Sequence, residues 1–205
     1  MKERRVDSFN IQVERATPET VAPFGRLLAD TPGVPMFARW EGATVRGPVP
    51  LEVGSGGELL LVTLAAKPFP VQCGLIERHF NHTQAYLPAN GRPFVMLLGR
   101  PTTQDAPDYP NLRAFLFEGA AGIVLHKDVW HDFPYALEDD TRFCVILREE
   151  AHLDTNAAPL HPMDADGPDL QRRAMRPRAD IVIHLADEDL AAGRDEAGAR
   201  SSQPA

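Results

Sequence analysis

Cysteine is scarce. Cys73 and Cys144 are the two in 205 residues, and both lie in apolar runs with no C-x-x-C or cysteine-histidine ligand spacing. That excludes a disulfide framework and a zinc ribbon, and leaves core thiols. No run of about 18 apolar residues exists to span a bilayer. The opening MKERRVDSFNIQVERA lacks the apolar core of a signal peptide, so the expected compartment is the cytoplasm. Positive charge is also short: 21 Lys and Arg against 29 Asp and Glu give a formal charge of -8. A protein that grips a phosphate backbone needs a basic stripe, so nucleic acid is not an expected partner. No G-x-x-x-x-G-K-[ST] or G-x-G-x-x-G follows a strand, which leaves a nucleotide cofactor unsupported.

What the chain does have is a series of short runs rich in Val, Ile, Leu and Phe. FNIQVER, ELLLVTLA, FPVQCGLIER, TQAYL, RPFVMLLG, LRAFLFEG, GIVLHK and RFCVILRE are separated by Gly, Pro and Asn. This pattern predicts a mostly β fold, an antiparallel sandwich or barrel over residues 1–150. One short helix is expected near the N-terminus, with Thr17 as cap, Pro18 in the first position and Pro23 and Gly25 as stop. From Ala151 to Ala205 the texture turns to Pro, Asp and Ala with little periodicity. We read this segment as an arm over the surface, with an added edge strand at 181–185 and a disordered tail from about residue 190.

Two blocks concentrate the polar residues that could do chemistry. ERHFNHTQAYL holds Glu77, His79, His82 and Gln84, and GIVLHKDVWHDFPYAL holds His126 and His131. Period-two alternation places Glu77 and His79 on one face. The same rule groups His126, Asp128 and Trp130 and leaves the side of His131 open. Arg46 and Arg113 are candidate anion contacts, since a guanidinium fork suits a carboxylate. Trp130 and Phe133 suit a pocket wall or core.

These blocks, with TPETVAPFGRLLA near the N-terminus, resemble the ureidoglycolate lyases, cupin-fold enzymes of allantoin and purine breakdown. Members carry an E-R-H-x-x-x-T-Q-A-F/Y-x-P segment, matched by Glu77, Arg78, His79, Thr83, Gln84, Ala85, Tyr86 and Pro88. They also carry L-R-A-F, a glycine turn and V-W-H-H-P. Here Trp130 and His131 match, but the second histidine is Asp132 and Phe133 precedes Pro134. The likeness runs from about residue 17 to 150.

The resemblance implies a cupin-like barrel, a homodimer, and cleavage of ureidoglycolate, or a related hemiaminal 2-hydroxy acid, to glyoxylate and urea. Such a retro-addition needs a base for the hydroxyl, an acid for the departing nitrogen and a cation for the carboxylate. Histidine suits both proton roles because its ordinary pKa is near 6.5. The expected catalytic set is His79, His126, His131 and Glu77. Gln84, Arg46, Arg113 and Trp130 are expected to bind the small carboxylate substrate. An alternative is a metal-dependent cupin holding nickel, manganese, iron or zinc through His79, His82, Gln84 and His126. A non-catalytic small-molecule-binding cupin is the other.

Overall fold

Runs that alternate apolar and polar residues become strands because one face can enter a core while the other stays wet. The structure, a computed structural model, describes residues 6–28, 34–35, 44–45, 48–149, 163–176 and 178–186. In chain order these carry β1 (Asp7–Arg15), α1 (Pro18–Val21), β2 (Gly25–Leu28), β3 (Val34–Pro35), β4 (Thr44–Val45), β5 (Gly57–Leu64), β6 (Val71–Cys73), β7 (Leu75–His79), β8 (Gln84–Pro88) and β9 (Phe94–Gly99). There follow β10 (Arg113–Phe117), β11 (Gly122–Leu125), β12 (Trp130–His131), β13 (Tyr135–Ala136), β14 (Thr141–Arg148), β15 (Ala165–Asp166), β16 (Leu170–Ala174) and β17 (Ala179–His184). The fold is mostly β and cupin-like, as expected. The short helix α1 begins as its residues dictate, with the Thr17 hydroxyl accepting from the Thr20 amide and the Thr20 hydroxyl accepting from the Thr17 amide.

A ten-stranded sheet runs β15-β16-β7-β12-β9-β10-β1-β17-β6, with β13 paired to β9, and a five-stranded sheet runs β2-β11-β8-β14-β5. These pairings are antiparallel except at β1, which lies parallel to both β10 and β17. Gly74 alone separates β6 from β7, although the two stand far apart in the sheet order, so the large sheet curls back toward itself.

Two cores follow from this curl. Between the sheets, Phe94, Met96 and Leu98 of β9 and Phe115 and Phe117 of β10 meet Tyr86, Ile123, Leu125, Phe143 and Val145. α1 caps this core with Val21, and Phe24 follows it inward. On the other face of the large sheet, Val95, Leu97, Ala114 and Leu116 pack with Ile76, Trp130, Ile181 and Ile183. β9 is therefore buried on both faces, which is why FVMLLG reads as one unbroken apolar run.

The C-terminal region departs from the expected arm. β15, β16 and β17 join the large sheet, and the strand expected at an edge over 181–185 runs Ala179–His184 between β1 and β6. The physical reason is the second core: Ile181 and Ile183 cover an apolar face that would otherwise meet water. The tail from about residue 190 lies outside the described residues.

Candidate active site

Strand register assembles the site. Across the large sheet Arg172 lies opposite Glu77, Glu77 opposite His131, His131 opposite Leu98, and Leu98 opposite Arg113. Residues directly opposite share a face, and Leu98 belongs to the core between the sheets, so the whole row points inward there. Alternation along β7 adds His79 to the same side, and alternation along β8 puts Gln84 beside the inward Tyr86 on the facing sheet. Polar groups from both sheets thus meet at one end of an apolar interior.

The distances are short. The Nε2 atoms of His79 and His131 lie 3.8 Å and 4.0 Å from Glu77 Oε1. The His79 ring centroid is 4.6 Å from that of His82 and 5.3 Å from that of His131, and Tyr86 stands edge-on to His131 at 6.3 Å. His131 Nδ1 faces the Val129 carbonyl at 3.0 Å. A carbonyl only accepts, so Nδ1 carries the proton and Nε2 keeps its lone pair toward Glu77.

Both ring nitrogens of His79, His131 Nε2, Gln84 Oε1 and the Tyr86 hydroxyl are buried with no hydrogen-bond partner among the described residues. Each such atom costs on the order of 1–3 kcal/mol. Five in one place mark a site kept for something other than stability. Burial, reinforced by the neighbouring imidazoles of His131 and His82, holds His79 well below its ordinary pKa. Burial also lowers His131, against the pull of Glu77, and raises Tyr86 well above its usual range. At neutral pH the site presents two uncharged imidazoles and a phenol.

The expected residues divide. Glu77, His79, His131 and Gln84 come together. His126 does not: it is exposed, one residue beyond β11. The strand ends at Leu125, and Asp128 takes a positive φ of 64°, so alternation cannot be carried from His126 to Trp130. Trp130 also leaves the expected set, because it sits opposite in parity to His131. It is buried in the second core, donates to Thr102 Oγ1 at 2.9 Å and lies under the Arg78 guanidinium. Arg113 lies on the inward row, but Leu98 separates it from His131, and its guanidinium closes on both carboxylate oxygens of Glu14. Arg46 lies outside the described residues. Asp132, where the resembled pattern has histidine, turns to the Tyr135 hydroxyl and Cys73, and burial pushes its carboxyl up to about 6.

Three residues in the site were absent from the expected set. Tyr86 turns its hydroxyl into the cluster from β8, Asp169 bonds His82, and Arg172 bonds Glu77. The signal available was the short run LQRRA behind Asp169, whose two central arginines fall on opposite faces of any strand.

Among the described residues, the group that could hold a divalent ion is Glu77, His79 and His131, whose ligand atoms lie within 4.8 Å of one another. This replaces the expected set, which included the exposed His126. Two histidines and a carboxylate suit a divalent transition metal, although ligands about 2.1 Å from one ion require closer approach than this.

A cupin-like β fold with a buried histidine-carboxylate cluster at one end of its interior defines an enzyme-type small-molecule site. A family model described as ureidoglycolate lyase matches residues 8–164, and the chain belongs to that family. Among curated relatives, the ureidoglycolate lyase of Azotobacter vinelandii is 32% identical over 146 residues, 69% of this chain and 86% of that protein. That of Pseudomonas savastanoi pv. phaseolicola is 31% identical over 141 residues, 66% of this chain and 81% of that protein.

Proposed function

We propose that the protein cleaves ureidoglycolate to glyoxylate and urea. The observation that carries this reading is the pair of uncharged, buried imidazoles of His79 and His131 converging on Glu77 inside the segment that matches the family. His131 Nε2 has the lone pair that takes the hydroxyl proton as the carbon–nitrogen bond breaks, and the Glu77 carboxylate beside it stabilises the imidazolium formed. The imidazolium so formed on His131 is the acid that returns this proton to the departing nitrogen, with the His79 ring and the Tyr86 phenol beside it to position that nitrogen. Gln84 Oε1 accepts from a ureido N–H. Low local dielectric strengthens each of these contacts.

The substrate class is a small 2-hydroxy carboxylate, the setting is purine breakdown in the cytoplasm, and the assembly is a homodimer. Support for an assembly comes from Leu59 and Leu61, exposed on the outer face of β5 at a sheet edge, where they lie opposite Ile146 and Cys144. Among the described residues, no helix is long and apolar enough to cross a membrane.

A second reading has its own observation. If Glu77, His79 and His131 bind nickel, manganese, iron or zinc, the ion would polarise a substrate oxygen. Glyoxylate release from racemic ureidoglycolate, with and without chelator, separates the two. Release that survives chelation supports the metal-independent lyase, and release abolished by chelator and restored by one metal supports the second. Release no faster than the spontaneous reaction sinks both.

A further inference from the structure

The family match ends at residue 164, yet two contacts at the site come from beyond it. Asp169 and Arg172 belong to the turn before β16 and to β16 itself, and each holds a residue of the cluster. We propose that this segment is a working part of the site, with Asp169 positioning His82 and Arg172 positioning Glu77 for the reaction proposed above, on which the inference rests.

The geometry at Asp169 is specific. Its side chain is buried, Oδ2 lies 2.6 Å from His82 Nδ1, and Oδ1 accepts the Asn81 amide at 2.6 Å. A carboxylate accepts, so the His82 proton sits on Nδ1 and the lone pair on buried Nε2. The His82 ring lies against His79. Position 82 is one of the unspecified places in E-R-H-x-x-x-T-Q, so both halves of this dyad fall outside the resembled pattern. Arg172 acts differently. Its Nε and Nη2 both reach Glu77 Oε2, at 3.0 Å and 2.7 Å, which pins one oxygen and leaves Oε1 facing His79 and His131.

Other charged pairs of the same segment supply a control. Arg173 with Asp166 and Arg178 with Asp164 also tie the segment in place, but no contact joins them to the histidine cluster among the described residues.

The test compares kcat, KM and thermal midpoint for the full chain and for Asp169→Asn, His82→Gln, their double variant, Arg172→Gln, Arg172→Lys and Asp166→Asn. In Asp169→Asn the side-chain oxygen can keep the Asn81 amide while its N–H faces His82 and reverses the tautomer. We expect kcat to fall about 10- to 100-fold with KM within about twofold. His82→Gln should lose as much and the double variant no more, since the two act as one unit. Arg172→Gln should lose kcat and Arg172→Lys recover part of it, while Asp166→Asn leaves kcat unchanged. Wild-type kcat in folded Asp169→Asn and Arg172→Gln, or an equal loss in Asp166→Asn, overturns the proposal and makes the segment a clamp only. Should Asp169→Asn fail to fold, wild-type kcat in His82→Gln overturns the role of the dyad by itself. An unsubstituted protein that releases no glyoxylate overturns the proposed reaction and this role together, whereas an active parent with indifferent variants overturns only this role.

Discussion

The histidine cluster and the C-terminal segment are both polar and both tied to β7, but they treat their polar atoms in opposite ways. In the cluster, His79, His131, Gln84 and Tyr86 bury atoms that have no hydrogen-bond partner among the described residues. In the segment, Arg173 alone donates to the carbonyls of Asp105, Ala165 and Arg172 and to the Asp166 carboxylate. One region gives up stability to present reactive groups, and the other supplies the stability that tolerates it.

The largest expected effect breaks the first side of this contrast. Replacing His79 or His131 by leucine should lower turnover by at least about 100-fold while the thermal midpoint holds or rises, because an unsatisfied buried polar group gives way to an apolar one. Glyoxylate assays and calorimetry on the same preparations check both halves. Variants that keep turnover and melt earlier would reverse the contrast.

Next in size, Arg173→Ala should cost about 2–4 kcal/mol in urea unfolding, because it strips donors from three carbonyls and leaves a pocket in a nearly buried position. Its kcat should stay at the parent value, since the guanidinium reaches no member of the cluster. A fall in kcat with unchanged stability would place Arg173 in the site.

The smallest effect concerns Arg178 and Asp164, a partly exposed pair. Arg178→Gln should change stability by less than about 1 kcal/mol. Hydrogen bonding from Arg178 holds the Asp164 carboxyl below its ordinary value, as Arg173 does for Asp166. A depressed carboxyl stabilises the fold above its unfolded pKa, about 3.9, and that contribution is lost as pH falls through the lower folded value. Carboxyl titration by NMR should place the Asp164 midpoint below about 3.9 in the parent and move it upward in Arg178→Gln. A midpoint unmoved by that change would show that the pair does not form in solution.

Much of the fold was readable because local chemistry and tertiary structure agree. Thr17 and Pro18 start the helix where their capping chemistry requires it. Glu77 and His79 share a face because β7 is regular through both, and FVMLLG is central because both of its faces find a core. Reading failed where alternation lost its parity, as at His126, beyond the end of β11 and two residues before the positive φ of Asp128. It failed again where a contact spans the chain. Glu14 is 99 positions from Arg113, and Asp169 is 87 from His82, so no local pattern announces either pair. The C-terminal run reads as a surface arm because Pro, Asp and Ala hide β15 and β16, and β16 finds its partner in β7, far away in sequence, where no local pattern points.

The parallel placement of β1 beside β17 sets an order on biosynthesis. Asp7 pairs with Ala179 and Gln12 with His184, so β1, once synthesised, waits for a strand that lies far downstream of it. Until then β1 can dock only on β10, and the second core stays open to water on one side. Asp169 and Arg172 emerge just ahead of β17 in the same late stretch. A nascent chain stalled before residue 165 would therefore hold His79 and His131 without Asp169 and Arg172 beside their neighbours His82 and Glu77.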